Sequence, residues 1–113
     1  MTSPASFHIA TLGCSKNRVD SDGMDHLLRQ RGMAAASPDD ARVVIVNTCG
    51  FLGAARAESV GAIEEFLAAR KPGQVVIAAG CMPALGDYRN HLPAGVDRVL
   101  TPREWFRIGD VVG

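Results

Sequence analysis

The chain carries no excess of charge. Twelve Lys and Arg balance twelve Asp and Glu over 113 residues, and no block of like sign breaks the scatter. Binding to a nucleic-acid backbone or an anionic membrane rests on clustered cations, so neither is expected as a dedicated role, leaving room for a small local contact at most. Long apolar runs are missing as well. VVIV (43–46) and VVIAA (75–79) are strand-sized, far below the roughly 20 residues that span a bilayer. The opening MTSPASFHIATLG has no charged region followed by an apolar stretch, so no signal peptide is expected. No membrane partner follows from this, and a cytoplasmic location is the expectation. Internal repeats, low-complexity tracts and linkers are absent, and the length suits one domain over 1–113.

What is present is an ordinary globular composition, 47% hydrophobic and 21% charged. A chain of this size buries roughly 65% of its unfolded surface, so a genuine core needs no staples. The three cysteines are an odd number in a reducing compartment, which disfavours a disulfide framework. Metal binding, redox chemistry and inert burial stay open.

One theme repeats along the chain. Phe7 to Leu12 (FHIATL) reads as a short strand, followed by a polar loop, GCSKNRV. A helix is expected from Asp20 or Ser21, read as capping residues, with Met24, Leu27 and Leu28 at i, i+3, i+4 and Gly32 as its stop. SPDD (37–40) marks a turn, and the β-branched run from Val43 to Val46 suits a strand covered on both faces. A second helix is expected from Ala54 to Arg70, with Val60, Ile63, Phe66 and Leu67 inward and Glu58, Glu64 and Glu65 outward. Pro72-Gly73 breaks it, and a third buried strand runs from Gln74 to Ala79. A weaker helix from Ala84 to Asn90, a fourth strand from Val96 to Leu100, and a last helix opened by Pro102, with Trp105 and Phe106 inward, complete the reading. Alternating strands and helices with short loops imply an α/β fold, a small parallel-sheet sandwich with helices on both faces, flavodoxin-like or Rossmann-like in class.

Each cysteine follows a strand. Cys14, Cys49 and Cys81 stand 35 and 32 residues apart, about one βα unit each. In a parallel sheet the carboxyl ends of all strands share one edge, the edge where open α/β folds bind ligands. Three convergent thiolates suit a soft or borderline metal centre. A structural zinc wants four protein ligands, and no His lies beside these loops. A 4Fe–4S cluster on three cysteines leaves one iron open. Gly13, Gly50 and Gly80 flank the cysteines and let backbone approach closely, and helix N-termini after Cys14 and Cys49 would favour an anionic centre. The plain alternative is that the cysteines are small buried fillers.

The strings TLGCSKNRVDS, VIVNTCGF and AAGCM together resemble the N-terminal domain of radical-SAM methylthiotransferases, in order, spacing and local context, over essentially the whole chain. Within that family the KN after Cys14 and the NTCGF around Cys49 look more like the ribosomal-protein branch than the transfer-RNA branch. The resemblance implies that Cys14, Cys49 and Cys81 hold an auxiliary 4Fe–4S cluster whose open iron carries the sulfur inserted at an unactivated C–H bond. It implies as partners a radical-SAM barrel, with S-adenosylmethionine and a second 4Fe–4S cluster, and a TRAM domain that grips the substrate. For the ribosomal-protein branch the substrate would be the β-carbon of an aspartate in a small-subunit ribosomal protein; a tRNA is the alternative. This chain has no C-x-x-x-C-x-x-C, so the domain alone is not expected to be catalytically competent and no catalytic residue is assigned. Ser15 stands where many relatives of that branch carry proline.

Asn17, Asn47 and Thr48 are candidates to support such a cluster, each with an equally plain reading as a loop or strand-end bonding residue. Lys16 and Arg18 could meet substrate or simply be solvated, and Phe51 and Met82 could border the site or merely pack. Two other classes compete. A nucleotide-binding flavodoxin-like module would use the same edge but lacks G-x-G-x-x-G or a P-loop where GCSKN stands. An interaction module with inert cysteines fits the neutral composition.

Overall fold

Five strands, all parallel, form one sheet in the computed structural model, which describes residues 6–12, 15–48, 53–80, 95–100 and 108, with backbone alone at 15–17 and 53–56. The elements run β1 (Ser6–Thr11), α1 (Ser15–Gln30), β2 (Ala34–Ala35), β3 (Val43–Thr48), α2 (Gly53–Ala68), β4 (Val75–Gly80) and β5 (Arg98–Leu100). Their order across the sheet is β2-β1-β3-β4-β5. The expected α/β class with helices on both faces is therefore the observed one.

Strand β3 is buried at all six residues because it has a strand on either side and a helix over either face. Its side chains alternate. Val43 and Ile45 join Phe7, Ile77 and Ala79 beneath Met24 and Leu28 of α1, where Ile108 also packs. Val44 and Val46 join Ala78 beneath Ile63 of α2, with Phe66 and Leu67 at the margin. The continuous VVIV run thus supplies two cores, one per face, as a strand covered on both sides must.

Helix α1 ends in a Schellman motif. Gly32 takes φ +85°, its amide donates to Arg29 O at 3.0 Å, and the Met33 amide donates to Leu28 O at 3.1 Å. The left-handed conformation falls on a residue without a β-carbon, and Met33 closes back on Leu28 within the core. Helix α2 keeps Glu58, Glu64 and Glu65 exposed, as its spacing predicts.

Three expectations need correction. Helix α1 starts at Ser15, five residues ahead of Asp20. Asp20 and Ser21 are thus interior residues of α1, past its first turn and not at its N-cap; Ser21 is buried. The short edge strand β2, paired at Ser6↔Ala34 and Phe7↔Ala35, was not expected. Two alanines on an exposed edge carry no alternation to reveal them. The last strand is shorter than Val96–Leu100, because Asp97 acts through its side chain. Its carboxylate accepts the Val76 amide at 2.9 Å and pairs with Arg70, while its own amide donates to Val76 O at 2.9 Å. The expected helices at 84–90 and from Pro102 lie outside the described residues, apart from helical, buried Ile108.

Candidate metal centre at the carboxyl edge of the sheet

The order 2-1-3-4-5 places a topological switch point between β1 and β3, since the chain leaves β1 toward β2 on one side and β3 toward β4 on the other. Register fixes how the strand exits align there. Thr11 is opposite Asn47, and Thr48 is opposite Gly80. The Leu12 amide continues the ladder, donating to Asn47 O at 3.0 Å. Covalent connectivity then starts Cys49 and Cys81 one peptide bond beyond the facing pair Thr48 and Gly80, and Cys14 two residues beyond Leu12. Neighbouring strands are about 4.8 Å apart, so the three strand ends that precede the cysteines lie side by side. Cys14, Cys49 and Cys81 themselves, with Gly13, Gly50, Phe51 and Met82, lie outside the described residues.

Of the other candidates, Asn47 and Thr48 are fully buried at the edge. Thr48 Oγ1 donates to Ala79 O at 2.7 Å, locking the end of β3 to the end of β4. Asn47 Nδ2 donates to Ser21 Oγ at 2.9 Å, and Ser21 Oγ lies 2.7 Å from Thr11 Oγ1. Gly80, at φ +93°, fits directly against Asn47: a β-carbon there would stand 2.4 Å from Asn47 Oδ1. Asn17 and Lys16 fall in the first turn of α1, and Arg18 is exposed. Ser21 was expected as a helix cap and Thr11 carried no site expectation; both instead join this network. The signal was present, because Ser21 precedes Met24 and Leu28 by three and seven residues and so shares their inward face.

Electrostatics favour an anion at this edge. Both α1 and α2 begin here, and neither has an acidic residue in its first turn. Neither helix dipole is therefore offset by an acid of its own first turn, and Arg18 stands exposed in that of α1. Among the described residues no group of three His, Cys, Asp or Glu side chains could hold a metal, and the nearest histidine by sequence, His8, is engaged elsewhere, with Nδ1 3.2 Å from Ala36 O and its ring against Phe66. The cysteines Cys14, Cys49 and Cys81 follow the strand ends at this edge in the sequence. Two helix N-termini without first-turn acids and a strand exit that admits only glycine, with cysteines following in the sequence, would suit an anionic thiolate-bound centre. A shallow depression lined by Asp39, Arg42, Lys71 and Gln74 lies at the opposite, amino-terminal edge, beside the starts of β3 and β4.

A doubly wound parallel sheet in the order 2-1-3-4-5, with its switch point between β1 and β3, defines a flavodoxin-like α/β domain. The chain belongs to the UPF0004 family, the N-terminal domain of methylthiotransferases: the model for "Uncharacterized protein family UPF0004" matches residues 6–98. It is 50% identical over 107 residues to the ribosomal protein uS12 methylthiotransferase RimO of Roseiflexus sp. (strain RS-1), covering 94% of this chain and 23% of that protein. The RimO of Herpetosiphon aurantiacus is 51% identical over 108 residues, at 94% and 23% coverage. That of Chloroflexus aurantiacus is 48% identical over 108 residues, at 95% and 24%. The chain thus spans about a quarter of the length of the curated relatives it matches. Among the described residues no helix is long and apolar enough to cross a membrane.

Proposed function

We propose that this chain is the cluster-bearing domain of a methylthiotransferase acting on a ribosomal protein, and that Cys14, Cys49 and Cys81 hold a 4Fe–4S cluster with one iron left open. The observation that carries the reading is the register. Thr11, Asn47, Thr48 and Gly80 are paired across three adjoining strands, and a cysteine follows each strand within three residues. When bound, the cluster supplies an iron site that can carry sulfur for insertion at an unactivated C–H bond. The chain's own part is to present three thiolates. The N-termini of α1 and α2 at this edge would favour an anionic centre. Thr48 and Asn47 keep their strand ends rigid beneath it.

The relatives are named for the ribosomal protein uS12, which makes a uS12-type protein the favoured substrate, with the β-carbon of an aspartate as the methylthiolated atom. The remaining three quarters of such an enzyme would bring the radical-SAM domain, its own 4Fe–4S cluster, S-adenosylmethionine and the TRAM domain. The isolated chain binds the auxiliary cluster and does not turn over, and the whole enzyme works in the cytoplasm.

Anaerobic reconstitution tests this directly. About four irons and four acid-labile sulfides per chain are expected, with stable retention lost in each of Cys14→Ala, Cys49→Ala and Cys81→Ala. A folded chain that takes up no iron, or any single variant that keeps the full complement, sinks the reading.

A further inference from the structure

Ser21 is a polar residue where the helix calls for an apolar one. It lies on the inward face of α1 in line with Met24 and Leu28, and is 7% exposed. Its hydroxyl accepts from Asn47 Nδ2 at 2.9 Å and lies 2.7 Å from Thr11 Oγ1. A hydroxyl that accepts the amide keeps its own proton to donate, so both bonds form at once. Thr11 closes β1, three residues before Cys14. Asn47 stands two residues before Cys49. Asn47 in turn packs its Oδ1 against Gly80, the residue before Cys81. A single hydroxyl from α1 is therefore the hub of a chain of contacts that reaches the exits of all three cysteine-bearing strands.

We propose that Ser21 is a positioning residue that holds the three thiols in convergent register, a role that rests on the thiol-centre reading above. A packing role alone would be met by alanine, which suits a helix interior better and has no polar group to bury. The hydroxyl adds something alanine lacks: fixed distances from α1 to β1 and from α1 to β3 at the site's edge.

Arsenite reads thiol convergence without iron or sulfide. Each arsenic exchanges three As–O bonds for three As–S bonds and releases three waters, with no change of oxidation state. The 113-residue chain, reduced, should bind one arsenite and protect all three thiols from alkylation. Ser21→Ala should remain folded in a urea melt yet bind arsenite about tenfold or more weakly, and lose reconstituted cluster faster. Ser21→Thr, which restores the hydroxyl, should recover most of the affinity. Gln74→Ala, a comparably buried polar deletion at the opposite edge, should lower stability and leave arsenite affinity as in the parent. If Ser21→Ala does not fold, Thr11→Val takes its place and should weaken binding in the same way. Undiminished arsenite affinity in the Ser21 or Thr11 variant, or an equal loss in Gln74→Ala, overturns the proposal, as does a parent chain with no three-thiol site. A parent that binds arsenite through three thiols but builds no cluster defeats the cluster reading and leaves the positioning role standing.

Discussion

Gly80 and Asn47 are in a contact that no other residue at position 80 could make: a β-carbon on Gly80 would stand 2.4 Å from Asn47 Oδ1 and 2.5 Å from Thr48 O, at a backbone φ of +93°. The end of β4 is thereby pressed onto the end of β3 just where the chain turns into Cys81. Gly80→Ala should combine left-handed strain with overpacking and cost about 2–5 kcal/mol. Gly32, at φ +85°, and Gly73, at φ +82°, have nothing within 4 Å of such a carbon, so Gly32→Ala and Gly73→Ala should each cost about 1 kcal/mol. Urea denaturation of the three variants side by side checks the difference, and equal losses would show that the contact is not the cause.

Gln74 ties the amino-terminal edge together. Its Nε2 donates to Pro38 O at 2.8 Å and Ala41 O at 2.7 Å, from a residue 9% exposed. Gln74→Ala strands both carbonyls, and a loss of about 1–3 kcal/mol is expected. A urea midpoint within error of the parent would mean that water satisfies them.

Asp97 should make stability depend on pH. Partial burial works to raise its carboxyl pKa, but the Val76 amide, the Arg70 hydrogen bond and charge, and the Arg98 charge outweigh it and hold the group below the usual carboxylate range. A carboxylate depressed in the folded state contributes its stability in full above the unfolded value, about 3.9, and loses it as pH falls through the folded value. The pair is partly open to solvent, at 30% for Arg70 and 35% for Asp97, so its worth is below about 1 kcal/mol. Asp97→Asn should accordingly be less stable than the parent near about pH 7, with the gap closing toward about pH 3. A gap that stays constant with pH would point to lost packing instead.

Ser15 is the first residue of α1, a position whose amide has no helical acceptor and where proline's fixed φ is already right. Ser15→Pro should therefore raise stability by about 0.5–1 kcal/mol, chiefly by restricting the unfolded chain. A thermal melt decides it: a lowered midpoint would show that the Ser15 amide is bonded outside the helix.

Where sequence and structure part company, the cause is local. The start of α1 is not legible in the sequence because Val19 is the sole large apolar residue between Ser15 and Ser21, and it is 67% exposed. That first stretch buries no apolar face, so no periodicity announces it. Serine is a good helix cap, so the sequence points Ser21 to the helix start; its buried hydroxyl role becomes visible once Thr11 and Asn47 are brought beside it from 10 and 26 residues away. Asp97 carried no signal, since its partners Arg70 and Val76 are distant in the chain. By contrast, β3, the Gly32 stop and the inward residues of α2 were legible because their evidence lies within one element.

The amino-acid sequence by itself determined the alternation of the main strands and helices, the sidedness of β3, of α2 and of the body of α1, and the placing of a cysteine after each of three strands. Those follow from hydrophobic period, β-branching and turn residues, all read over a few neighbours. The tertiary structure decided the order 2-1-3-4-5, the pairing of Thr48 with Gly80, and the Thr11–Ser21–Asn47 chain that joins the strand exits. Strand order and register are set by which faces can be buried together, and hydrogen bonds across 10 to 31 residues exist once that burial has brought their partners within reach.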